Sequence, residues 1–212
     1  MMDQRALEPY SAADFRARAL QRAAPGPSDD VNGDHRLNPN SRKDIVREGL
    51  RPAAVLVPVI DRPEGATMLL TKRTEKLKSH PGQIAFPGGR VDPGDVSVEA
   101  AAMREADEEI GLKGEFIEIV GQLSDYYSGS GFRITPVLSV VRPGFTLTIN
   151  PDEVDDTFEV PLRFLMDAAN HHTDSRIWNN IERYFYTMPY DGRHIWGVTA
   201  GIIRAVHDRL YA

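Results

Sequence analysis

The sequence predicts an α+β fold. Short apolar runs broken by turn residues recur from about residue 53 to residue 197. One segment near residue 100 repeats apolar residues at helical spacing and stops at a glycine. The strand-like runs follow one another without a helix between each pair, which argues against regular βαβ alternation.

The elements follow in order. Ser11 opens a short helix over 11–23, with Phe15, Ala19 and Leu20 near one face. Pro25 to Asn40 is rich in Pro, Gly, Asn and Asp and reads as loop or linker, so the domain boundary is placed near residue 41: an N-terminal extension over 1–40 and one domain over 41–212. AAVLVPVI at 53–60 and TMLLTKR at 67–73, joined by DRPEG, read as a hairpin. Ser97 to Ile110 is a helix with Val98, Ala101, Ala102, Ala106 and Ile110 at helical spacing and Gly111 as terminator. Strands are expected near 115–123 and at 134–141, 146–149 and 158–162, then a short helix at 162–169. RYFYTMPY and HIWG read as strands, and TAGIIRAVHDRLY as a closing amphipathic helix.

Composition excludes several function classes. The chain has 212 residues, 31 acidic against 25 basic, a net charge of −6 and no cysteine. Disulfides, thiolate metal sites and cysteine nucleophiles are therefore impossible. The acidic balance argues against a nucleic-acid partner held by a basic surface. The apolar stretch Ala53 to Ile60 is far shorter than the about 20 residues that span a bilayer, so no membrane partner is expected. The N-terminal segment mixes Arg5, Arg16 and Arg18 with Asp3, Glu8 and Asp14 and has no apolar signal-type run. A cytoplasmic location is the expectation, with mitochondrial import the alternative.

The chemistry concentrates between Phe86 and Leu112. On a helix, Glu105, Glu108 and Glu109 stand at i, i+3 and i+4 and share one face. Three like charges there call for a cation between them. Hard oxygen donors of this kind suit Mg²⁺ or Mn²⁺, which keep waters and take substrate phosphates as further ligands. Arg104 adjoins Glu105 and precedes Glu108 by four residues, so it can orient a carboxylate or meet a phosphate. Gly88 and Gly89 permit close backbone approach or a positive φ. A READEEIG helix alone is most often a solvated face, and FPGG alone a turn. Their combination at this spacing points to phosphoryl chemistry.

The combined pattern resembles the Nudix box of the Nudix hydrolases. Arg104, Glu105, Ala106, Asp107, Glu108, Glu109, Ile110, Gly111 and Leu112 fill its second half. Gly89 lies one residue further from Arg104 than the general box requires, and Val96 stands where its first Glu falls, with Asp95 next to it. That insertion resembles the coenzyme A pyrophosphatase branch. So do Leu69-Leu70-Thr71-Lys72-Arg73, Lys78, Gly82-Gln83 and Phe86-Pro87-Gly88-Gly89, with Thr74 and Lys78 as conservative differences, and SGFRITPV, NPDEVDDTFEVPL and IWGVTA downstream.

The resemblance implies a Nudix-type α/β/α sandwich, with a mixed β-sheet between helices. It implies Glu105 and Glu109 as principal ligands of Mg²⁺ or Mn²⁺, Glu108 as a further or water-mediated ligand, and Arg104 as organiser. The activity implied is hydrolysis of the diphosphate of coenzyme A or its acyl derivatives, giving 4′-phosphopantetheine and adenosine 3′,5′-bisphosphate. Another nucleoside diphosphate derivative such as ADP-ribose is the alternative substrate, and a non-catalytic binding module, suggested by Val96, is a third reading.

The carboxylate that completes water activation varies in that family. Glu153, in the acidic segment from Asp152 to Asp156, is the candidate here, since a neighbouring loop need only reach over the helix face; read alone, the segment is a solvated turn. Arg73 and Lys78, with Gly88 and Gly89, are the candidate substrate-binding residues, and Lys72 a weaker one. His80, His171 and His172 read as loop or surface histidines. Tyr126 and Tyr127 either stack on adenine or pack in the core. A homodimer is left open.

The charge is uneven. Asp92 to Glu109 holds seven acids and one base, and Asp152 to Glu159 five acids and no base, so the rest of the chain is net positive. The acidity sits where metal chemistry is expected, and cations elsewhere can meet a polyanionic small molecule.

Overall fold

A computed structural model describes residues 8–22, 32–178 and 180–212. In chain order, α1 spans Ala12–Arg22, β1 Asn32–Gly33, α2 Arg42–Ile45, β2 Arg51–Ile60, β3 Thr67–Arg73, β4 Ile84–Ala85, β5 Gly88–Arg90 and α3 Val98–Ile110. There follow β6 at Ile117–Gln122, β7 at Tyr126–Tyr127, β8 at Phe132–Val141, β9 at Val154–Pro161, α4 at Leu162–Leu165, β10 at His172–Trp178, β11 at Ile181–Tyr190, β12 at Arg193–Trp196 and α5 at Gly197–Leu210.

The main sheet runs β1-β7-β8-β2-β3-β4, with β5 on β2, β6 on β8 and β9 on β3. Its two central strands, β2 and β8, are parallel in register from Arg51 with Phe132 to Ile60 with Val141. The pairs β2–β3, β2–β5, β6–β8 and β3–β9 are antiparallel, so the sheet is mixed. A second, antiparallel sheet runs β10-β11-β12.

Side-chain alternation along β2 divides the core. Ala54, Leu56 and Ile60 join Ala101, Ala102, Ala106 and Ile110 of α3 on one face. Ala53, Val57 and Val59 join Phe15 of α1 and Ile202, Ile203 and Val206 of α5 on the other. Helices thus cover both faces of a mixed sheet, the expected α/β/α sandwich.

The N-terminal helix belongs to that packing. Ser11 Oγ accepts from the Asp14 N–H at 3.0 Å, capping α1. Ala12, Phe15 and Ala19, at i, i+3 and i+7, are buried, while Leu20, expected on this face, is exposed because it lies off that stripe. Of the segment read as linker, residues 25–31 lie outside the described residues. Asn32 and Gly33 pair with Tyr126 and Tyr127, and residues 34–36 and 39–41 are short 3-10 turns. Among the described residues before 41, Ala12, Phe15 and Ala19 therefore share the core of those that follow.

Two strand expectations need correction. Residues 146–149 alternate apolar and polar but join no ladder. Instead Thr148 N–H and Asn150 N–H donate to the Ile110 and Glu109 carbonyls, each at 2.9 Å, while Phe145, Leu147 and Ile149 pack beside α3. The alternation marks one-sided burial, not a strand. Conversely β10 had no apolar signal; its residues are mostly exposed, and cross-strand pairing with β11 makes it a strand. No helix among the described residues is long and apolar enough to cross a membrane.

Candidate active site

The helix α3 starts where Ser97 Oγ accepts from the Ala100 N–H at 3.1 Å, and it ends at Gly111, whose left-handed φ of 69° a β-carbon resists. Its buried face is mostly alanine: Ala101, Ala102 and Ala106 are fully covered. Small side chains let the helix lie close on β2 and β5, and this brings the carboxylates at 105 and 109 onto the backbone of the glycine pair.

Each glycine serves a different carboxylate. Gly88 N–H donates to Glu109 Oε2 at 3.1 Å. A β-carbon on Gly89 would stand 2.5–2.6 Å from the Glu105 carboxyl atoms, so the missing side chain is the space the carboxyl fills. Glu109 is only 2% exposed. Burial pushes its carboxyl up to about 7; the Gly88 N–H and Arg73, whose Nη1 lies 3.6 Å from Glu109 Oε1, oppose this, and the charges of Glu105 and Glu153 add to it. Glu105 is also raised, chiefly by burial, against the pull of Arg104.

Arg104 ties the second carboxylate pair. Its Nη1 donates to Glu105 Oε1 at 3.0 Å and to Glu108 Oε2 at 2.9 Å. Its other edge, Nε and Nη2, grips Asp95 at 3.0 and 2.9 Å, and Nη2 also reaches the Arg90 carbonyl. This fork holds the Asp95 carboxyl down at about 2. Val96 is 93% exposed and plays no part. The acid next to it, Asp95, is the one that meets Arg104, directed inward by the turn from Asp92, with Asp95 N–H on the Asp92 carbonyl. Asp95→Ala is expected to free the Arg104 fork and lower kcat about 10- to 100-fold, the usual cost of losing a group that orients a metal ligand. Val96→Ala should leave kcat within about twofold; steady-state kinetics on both variants checks the pair.

The acidic loop after residue 144 docks on the end of α3. Thr148 and Asn150 satisfy two of the carbonyls that a helix leaves unpaired at its C-terminus. Asn150 accepts at its carbonyl from Glu153 N–H at 3.1 Å and Val154 N–H at 2.9 Å, and the Glu153 carbonyl accepts from Thr74 N–H at 2.9 Å. Glu153 is partly buried here, near enough for its charge to raise both Glu105 and Glu109. The loop is therefore more than a solvated turn. Asn150 enters the sequence reading only as the first residue of NPDEVDDTFEVPL, with no role of its own; an Asn opening an acidic turn is the further signal.

Other candidates lie elsewhere. Lys72 pairs with Asp156 across the sheet, one residue out of phase with Arg73, so it does not share the face on which Arg73 meets Glu109. Lys78 and His80 are exposed on the loop between β3 and β4. His171 is half-buried with Nε2 2.7 Å from the Leu165 carbonyl, and His172 is exposed on β10. Tyr126 is buried and donates to Asp34 Oδ1 at 2.7 Å, which takes its ring out of reach of an adenine.

The donor chemistry fits a hard divalent cation: three glutamates, two of them pushed toward protonation by burial and mutual repulsion, beside a cradle a β-carbon would fill. As they stand, no three Asp, Glu or His side chains among the described residues converge into a cage, and arginines partner the three. Arg104 bridges Glu105 and Glu108, and Arg73 lies beside Glu109.

A family profile described as NUDIX domain matches residues 50–187, and the chain belongs to that family. Its relatives include a protein named uncharacterized Nudix hydrolase NudL from Yersinia pestis (strain Pestoides F), 40% identical over 154 residues, which cover 73% of this chain and 77% of the relative. Among solved structures, a binary complex of the C. elegans Ap4A hydrolase is 23% identical, with a TM-score of 0.46 over 54% of this chain and 82% of that one. The M. smegmatis Nudix hydrolase RenU is 25% identical, with a TM-score of 0.45 over 52% and 70%. The chain is a Nudix hydrolase of a diphosphate substrate, and such hydrolases generally need divalent cations such as Mg²⁺ or Mn²⁺.

Proposed function

We propose that the diphosphate hydrolysed is that of coenzyme A or an acyl derivative, with 4′-phosphopantetheine, or its acyl form, and adenosine 3′,5′-bisphosphate as products. The observation that carries this reading is the placement of the upstream signature. Arg73, the last residue of Leu69-Leu70-Thr71-Lys72-Arg73, and Gly88 of Phe86-Pro87-Gly88-Gly89 both meet Glu109. The segment that resembles the coenzyme A branch is thus part of the site.

In this reading Glu105, Glu108 and Glu109 hold Mg²⁺ or Mn²⁺. The bound cation neutralises charge on the diphosphate and lowers the pKa of water. Glu153 accepts the proton of the attacking water as its oxygen bonds to phosphorus and the bridging P–O bond breaks. Arg104 orients Glu105 and Glu108, and Arg73 meets phosphate oxygens, with Lys78, exposed on the loop between β3 and β4, a further cation for the substrate. The glycine pair serves the diphosphate by seating the carboxyls of Glu105 and Glu109 close against its backbone.

Incubating the protein with coenzyme A and Mg²⁺ or Mn²⁺ and separating the products tests the reading. Release of adenosine 3′,5′-bisphosphate is expected; its absence would sink the assignment. A panel including ADP-ribose, ranked by kcat/KM, decides between substrates. Binding of coenzyme A without turnover would favour the non-catalytic module.

A further inference from the structure

We infer that Asn150 is a positioning residue for Glu153, setting which carboxylate oxygen faces the reacting water; this rests on the role proposed for Glu153. Asn150 is joined to both halves of the site. Its N–H donates at 2.9 Å to the carbonyl of Glu109, the buried glutamate of the helix, and its own carbonyl accepts from Glu153 N–H at 3.1 Å. Its side-chain amide donates from Nδ2 to Glu153 Oε1 at 3.4 Å, while Oδ1 accepts from Asp152 N–H at 3.2 Å.

The two ends of the amide therefore have separate tasks. Oδ1 closes the turn that carries the acidic segment. Nδ2 is bonded to Glu153 Oε1, and among the described residues Oε2 is left to accept from the reacting water. A carboxylate on a flexible side chain samples several rotamers, and a fixed donor at one oxygen favours the one in which the other points at a fixed place. The backbone bond to Glu109, with Thr148 N–H on the Ile110 carbonyl and Thr74 N–H on the Glu153 carbonyl, ties the loop backbone to the helix end and to the chain after β3, and the Asn150 amide is the part that acts on the Glu153 side chain. Amide geometry matters here. A serine keeps a hydroxyl for the Asp152 N–H but is too short to reach Glu153, and an aspartate keeps the turn but offers Glu153 no donor.

The test uses Asn150→Ser and Asn150→Asp in the full chain, with and without Glu153→Gln. Coenzyme A and Mn²⁺ are the substrate and metal for kinetics, and Mn²⁺ binding is followed separately by calorimetry. Both single variants are expected to lower kcat about 10-fold with KM within about twofold, unchanged Mn²⁺ affinity and an unchanged Tm. On the Glu153→Gln background the same changes should cost less than about twofold, because the residue acted upon is gone. A fall in kcat that persists undiminished without Glu153, or that comes with weaker Mn²⁺ binding or a lowered Tm, overturns the inference. If Glu153→Gln alone leaves kcat unchanged, the role of Glu153 fails instead, a result distinct from the first.

Discussion

Glu109→Gln is expected to lower kcat by more than about 100-fold and at the same time to make the metal-free protein more stable at neutral and alkaline pH. Loss of activity follows from replacing an anionic donor by an amide in a hard-oxygen set; removing a group that merely orients a ligand already costs about 10- to 100-fold. The gain in stability follows from burial. Folding raises the Glu109 carboxyl to about 7. A group whose pKa rises on folding stabilises fully below its unfolded pKa, about 4.5, and that stability is lost as pH climbs through about 7. At pH 8 the ionised, buried Glu109 thus costs the metal-free protein roughly 3 kcal/mol, the free-energy equivalent of that shift. Glutamine carries no charge and still offers an oxygen to the Gly88 N–H. Denaturant unfolding in EDTA should place the variant above the wild type at pH 8 and level with it near pH 4. Adding Mn²⁺ should stabilise the wild type and leave the variant unmoved, since only a state that binds the ion gains from it. A variant less stable than wild type in EDTA at pH 8 would show that Glu109 is not the strained residue described.

The glycine pair should fail in two opposite ways. Gly89→Ala is expected to fold and to lose activity. The three atoms nearest its β-carbon all belong to the Glu105 carboxyl, at 2.5–2.6 Å, and the far end of a flexible side chain can swing aside. A displaced Glu105 leaves the shared face and drags on its Arg104 partner, so kcat and Mn²⁺ affinity should each fall about 10- to 100-fold with Tm nearly constant. Gly88→Ala meets rigid atoms instead, the Ala54 carbonyl oxygen and the Val55 Cα, the latter at 2.7 Å, across the β2–β5 ladder. Backbone cannot swing aside, so this variant should lose about 1–3 kcal/mol or more of stability, the cost of a clash in a packed interior. Thermal unfolding and Mn²⁺ titration of the two proteins, side by side, separate the outcomes. Equal loss of Tm in both would refute the distinction.

The same contrast between local and distant causes explains what could be read from the chain alone. The helix Val98–Ile110 was legible to within a residue at its start, because its serine cap, alanine spacing and terminal glycine are neighbours in sequence. So were Glu105, Glu108 and Glu109, whose common face follows from helical periodicity. The strands of the β2–β3 hairpin were legible for the same reason, since short apolar runs bounded by turn residues are local features that need no knowledge of the partner.

The partner decides the rest. TLTI at 146–149 has a strand's alternation, yet its N–H groups go to the carbonyl end of α3. His172–Trp178 lacks the apolar pattern, yet β11 lies beside it. Lys72 and Arg73 are adjacent in sequence, yet only Arg73 reaches Glu109, because successive strand residues point to opposite faces. Val96 stood at the expected acid position, and the turn from Asp92 gave the Arg104 fork to Asp95 instead.

By itself, then, the sequence determined the carboxylate-bearing helix, the glycine pair and the α+β class, all of which depend on spacing over a few residues. Tertiary structure alone decided that Phe15 of the N-terminal helix lies in the same core, that Arg73 sits beside Glu109, and that Asn150 locks the acidic loop to the end of α3. Those contacts join segments tens of residues or more apart. Burial and hydrogen-bond satisfaction select them from the many pairings that local pattern permits.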